Sequence, residues 1–108
     1  MTGTTRALAR LAANSTYEKL PAAIRHEGVP AFVHWVGCAV GASKEDAIER
    51  ALAVLTEFNG ANSSTVIGRS ERLDALNATF INSMSSAALA FNDTHFTTVA
   101  HPTGPVVA

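Results

Sequence analysis

This sequence is short of several things, and each shortage narrows what the protein can be. A single cysteine, Cys38, in 108 residues excludes any intrachain disulfide and fits a reducing compartment, the cytoplasm. Charge is sparse: 8 Lys and Arg oppose 9 Asp and Glu, so no basic surface is available for nucleic acid. The longest apolar stretch, Ala31 to Val40, is interrupted by His34 and falls well short of the roughly 20 residues that span a membrane. The opening residues hold Arg6 and Arg10 without an acid, but they lack the apolar core of a secretory signal and read as an ordinary first helix. No G-x-G-x-x-G or Walker loop points to a dinucleotide or nucleoside triphosphate. No G-x-S-x-G elbow points to a serine hydrolase, and Ser83, Ser85 and Ser86 fall within a helical pattern instead.

What the chain does have is apolar surface. Hydrophobic residues make up 47% of it against 16% charged, and 20 residues are alanine. A domain of this length buries roughly two-thirds of its unfolded surface, so the composition predicts faces that need more chain or another subunit to cover them.

Periodicity divides residues 1–108, read as one domain, into helices. Leu8, Leu11 and Ala12 predict a first helix ending at Asn14-Ser15. Pro21 opens a short second helix up to Gly28, and Pro30 predicts a break or kink. Residues 31–42 are apolar nearly all round, which predicts an enclosed central helix in which His34 is a hydrogen-bonded core residue, Cys38 a small hydrophobe, and Gly37-x-x-x-Gly41 a packing stripe. Ser43 with Asp46 makes an S-x-x-D start for a helix whose apolar steps run from Ala47 to Phe58. After a short extended piece at Thr65-Val66-Ile67, Ser70 is expected to cap a last long helix from Glu71 to about Ala90. Val106-Val107-Ala108 opens a further element.

The chemistry gathers after that helix. Asn92, Asp93, Thr94, His95 and His101 put carboxylate, amide, hydroxyl and imidazole groups on one loop, where a rigid scaffold can position them for proton transfer. Spacing alone leaves a second reading open, in which Asp93 and Thr94 merely end one helix and cap the next. Asp93, His95 and His101 are metal-ligand types, but their spacing matches no defined zinc pattern, and no metal is assigned.

The order of Leu8-Ala9-x-Leu11-Ala12, Tyr17-Glu18-Lys19-Leu20-Pro21, Gly37-Cys38-Ala39-Val40-Gly41, Thr65-Val66-Ile67-Gly68 and the run from Asn82 onward resembles the MmgE/PrpD family. The most specific parts are Phe91-Asn92-Asp93-Thr94-His95 and His101-Pro102-x-Gly104-Pro105. That family includes 2-methylcitrate dehydratase, cis-aconitate decarboxylase and an iminodisuccinate epimerase. The resemblance implies an all-α fold here, a partial bundle of about four to five helices belonging to the N-terminal part of a larger helical domain that pairs with a smaller lid domain. It further implies a homodimer, no metal or cofactor, and a small polycarboxylate substrate, to which the composition adds a cytoplasmic location with no membrane or nucleic-acid partner.

On the family motif, Thr94 and His101 match an active-site threonine and histidine, and Asp93 matches the second aspartate of a D-D pair. Asn92 and His95 are expected to contact substrate. Three positions depart: Ala87 replaces a histidine, Ala90 an aspartate, and Asn92 the first aspartate of the pair. Loss of one acid, base or orienting group is worth about 10²- to 10⁴-fold in rate. The expected chemistry is removal of a proton next to a carboxylate followed by loss of water, with this piece inactive alone. The alternatives are decarboxylation or epimerisation, or a non-catalytic relative that binds or oligomerises.

Overall fold

Helical spacing of Leu8, Leu11 and Ala12 produces α1, Gly3–Asn14, in the computed structural model, which describes residues 3–108. The helix ends where short polar side chains take over its last carbonyls: Asn14 Nδ2 donates to the Arg10 carbonyl at 2.7 Å and Ser15 Oγ to that of Leu11 at 2.6 Å. A single 3₁₀ turn at Tyr17–Lys19 follows, and Leu20, before Pro21, is extended. The Arg25 guanidinium lies 5.2 Å from the Tyr17 ring centroid, a cation–π contact. The chain divides at Pro30 into two units, and no described residue of the first is buried.

Helix α2 spans Ala22–Ala42 with Pro30 inside it, so of the break or kink expected there the break does not occur, and the two helices expected on either side of Pro30 are one. Proline removes one ladder bond, to the carbonyl of exposed His26. The expectation of an enclosed helix at residues 31–42 is also corrected. Trp35, Ala39 and Ala42 are buried, whereas Phe32, Val33 and Val40 are about half exposed or more. His34 is exposed rather than a core residue, and its Nε2 lies 3.7 Å from Cys38 Sγ, one turn on.

The core lies instead among α3 (Asp46–Glu57), a small hairpin and α4 (Ala75–Ala88). Ile48 and Leu52 from α3, Val66 and Leu73 from the hairpin, and Ala78 and Ile81 from α4 form one buried cluster, flanked by Ala51, Leu55 and Met84. Ser43 does not cap α3, whose N-cap is Glu45; its hydroxyl donates back to the Val40 carbonyl at 2.8 Å. The hairpin pairs β1 (Ser64–Thr65) with β2 (Arg72–Leu73), antiparallel, with Ser64 opposite Leu73. This pairing takes the residues that helical spacing gives to the start of α4. The cap is therefore Asp74, not Ser70: its carboxylate accepts from the N–H groups of Leu76 and Asn77.

Gly68 closes the turn between the strands with φ +77°, and a Cβ there would lie 2.7 Å from Ser43 Oγ and 3.2 Å from Val40 Cα. Only glycine meets both conditions. Next to it, the Arg69 guanidinium donates from one nitrogen to the Ser43 carbonyl at 2.8 Å and to Glu49 at 2.6 Å, and from the other to Glu71 at 2.8 Å. Arg69 thus ties the hairpin to the end of α2 and to α3. Mostly helical with one two-residue strand pair, the architecture is that of a partial helical domain. No helix among the described residues is long and apolar enough to cross a membrane.

Candidate functional site

Helix α4 stops at Ala88, and Ala90 turns the chain with φ 56°, in the left-handed region. The loop then runs to α5, Thr103–Val107. Its middle is a tight turn in which the His95 N–H donates to the Ala100 carbonyl at 2.8 Å and the Val99 N–H to the His95 carbonyl at 2.7 Å. Val99 takes φ 54° there. A β-branched residue in that region is an outlier, costing of the order of 1–3 kcal/mol, and such strain gathers at functional sites.

The turn returns His101 to Asp93 and Thr94. His101 Nδ1 lies 2.6 Å from the Asp93 backbone carbonyl and 3.2 Å from Thr94 Oγ1. A carbonyl can only accept, so Nδ1 carries the proton and donates to it, which in the neutral form of the ring puts the lone pair on Nε2. The Thr94 oxygen shares that donor, which leaves its own O–H free to donate elsewhere. The Asp93 carboxylate is fixed from the far side, where Thr103 Oγ1 donates to Oδ2 at 2.7 Å. The loop therefore sets a tautomer and presents an acceptor nitrogen.

His101 and Asn92 also line a cleft of about 220 Å³, closed by Ser83, Ser86 and Ala87 of α4 and by Gly104 and Pro105. This is smaller than the roughly 300–1,000 Å³ of pockets for drug-sized ligands, a scale that suits a ligand of few heavy atoms. Of the residues singled out by sequence, Asn92, Asp93, Thr94 and His101 are thus brought together. His95 is occupied elsewhere: its Nδ1 pairs with Thr98 Oγ1 at 2.8 Å within the turn. The α4 serines were not visible as lining from sequence, although Ser83 and Ser86, three residues apart, share a helix face. Among the described residues, no three His, Cys, Asp or Glu side chains are placed to hold one metal ion.

A model of the MmgE/PrpD N-terminal domain matches residues 6–108. The chain belongs to the MmgE/PrpD family. No curated protein and no solved structure matches it. Against the family motif, the departures at positions 87 and 90 have different structural positions. Ala87 lines the cleft together with His101, whereas Ala90 takes the left-handed conformation two residues after the end of α4.

Proposed function

We propose that the loop from Asn92 to Pro105 is one wall of a small-polycarboxylate site in an MmgE/PrpD-type lyase, of the 2-methylcitrate dehydratase kind. The observation that carries this reading is the His101 imidazole, held through Nδ1 by the Asp93 carbonyl and Thr94 so that Nε2 is the free basic nitrogen, beside a cleft of small-ligand size. In this role His101 Nε2 takes the proton from the carbon next to a substrate carboxylate, the C–H electron pair becomes the C=C bond, and the imidazolium returns the proton to the leaving hydroxyl, which departs as water. The Thr94 O–H donates to a carboxylate oxygen of the substrate. Asp93, fixed by Thr103, keeps the two in register. The negative charge that builds up as the proton leaves calls for cationic or hydrogen-bonding groups, and the loop from 90 to 108 contains no Lys or Arg, so those groups belong to other parts of the site.

A second reading, a relative that binds the acid without turning it over, is favoured by one specific observation: Ala87 leaves the cleft without the imidazole expected there. Calorimetric titration with 2-methylcitrate tests the shared claim. Saturable binding that weakens about tenfold or more in His101→Ala is expected, the loss of a hydrogen bond to a charged group. Equal affinity in both proteins would remove His101 from the site. Ala87→His, assayed together with the parts of the site that supply those cationic groups, then separates the two readings: a gain in turnover supports the catalyst, and none supports the binding relative.

A further inference from the structure

We infer that the indole N–H of Trp35 is a ligand-binding donor of the same cleft, which with Ser86 Oγ holds a carboxylate oxygen of the small acid whose other end meets His101. The inference rests on the reading of the cleft given above, and makes Trp35 a specificity-determining residue supplied by α2.

Trp35 is 5% exposed, and its Nε1 has no hydrogen-bond partner. Buried indole N–H groups normally find an acceptor, so an orphan of this kind calls for an explanation. Its position supplies one. A methyl group built on Gly104 would lie 4.0 Å from Trp35 Nε1 and 3.8 Å from Ser86 Oγ, so the missing side chain at position 104 faces both polar atoms. Gly104 and Ser86 are themselves cleft residues, as are His101 and Asn92. The indole nitrogen sits behind Gly104 on the inner wall, covered by α5, a helix of five residues none of which is buried. Binding of a ligand oxygen in the gap beside Gly104 requires a small outward shift of α5, and the indole nitrogen is not itself on the cleft surface. Ser86 Oγ already donates to the Ser83 carbonyl at 2.8 Å, so it meets that oxygen by exchanging this bond, whereas the indole donor has nothing to give up. Of the two, Trp35 is therefore the stronger determinant.

Trp35 is the one tryptophan in the sequence, so a ¹⁵N-labelled chain shows one indole N–H signal. The experiment titrates 2-methylcitrate and follows that signal together with the backbone amides of Thr94 and His101. All three are expected to move along one saturation curve, and Trp35→Phe, which keeps a ring and removes the donor, to weaken binding about tenfold. Amides that saturate while the indole signal stays fixed would overturn this inference and leave the reading of the cleft intact; if neither moves, both fall. Should Trp35→Phe not fold, Gly104→Ala decides the matter, since its methyl fills the gap at ordinary contact distances. About tenfold weaker binding supports the inference, and unchanged affinity overturns it.

Discussion

Two loops of similar length flank α4, residues 59–74 before it and residues 90–102 after it, and they are held in opposite ways. The first is braced at long range. Asn59 accepts from the Asp74 N–H, Asp74 from the Gly60 N–H, and Asn82 of α4 both accepts from the Ile67 N–H and donates to the Thr65 carbonyl. Arg69 adds its fork to Glu49 and Glu71, and Val66 and Leu73 enter the core. The second loop buries nothing, contains two left-handed residues that are not glycine, and is held by backbone and side-chain bonds within itself and by Thr103. One loop commits its polar atoms to stability. The other leaves an imidazole nitrogen and a hydroxyl proton available, which is the condition for chemistry.

If that contrast is right, substitutions in the two loops separate stability from binding. The largest effect is expected for Gly68→Ala, which combines a left-handed backbone with a 2.7 Å approach to Ser43. It should lower unfolding free energy by about 3 kcal/mol in denaturant melts. Next comes the Arg69 brace. Hydrogen bonding from Arg69 is the main cause holding the Glu71 carboxyl down to about 2 from its ordinary 4.5. The stability this contributes is complete above pH 4.5 and is lost as pH falls from there towards 2. Asp74 shifts in the same direction, held chiefly by the Gly60 N–H. Circular dichroism across that window should show a shallower acid loss in Glu71→Gln than in the parent, and parallel curves would assign the acid sensitivity elsewhere. The smallest stability effects belong to the second loop: His101→Ala and Thr94→Val should change unfolding free energy by no more than about 0.5 kcal/mol while weakening 2-methylcitrate binding. A large loss of stability in either would make the loop a structural brace like the first.

What could be read in the sequence follows the same division between local and distant causes. Helices α1 and α3 were legible because their apolar steps are local, and the 91–105 loop because its residue types are dense and match a family motif. The start of α4 was not, because Arg72 and Leu73 pair with residues seven or more positions back, and that contact outweighs their helical spacing. Asp74-x-x-Asn77 is the capping signal that is used, one turn beyond Ser70. The apolar circumference of α2 predicts an enclosure that does not form. Hydropathy reports which surfaces favour burial and not whether an element covers them, and Phe32, Val33 and Val40 are exposed. At the site, residue types gave Thr94, Asp93 and His101, but nothing local shows that His95 turns towards Thr98 or that Trp35, far back in the chain, lies behind Gly104.

The central claim is that the loop fixes the tautomer of His101, and it can be measured directly. Long-range ¹H–¹⁵N correlation of the histidine rings at a pH where they are neutral should show His101 protonated at Nδ1, with an Nε2 resonance that moves when 2-methylcitrate is added. An Nε2–H tautomer, or a ring whose nitrogens ignore the acid, would contradict it.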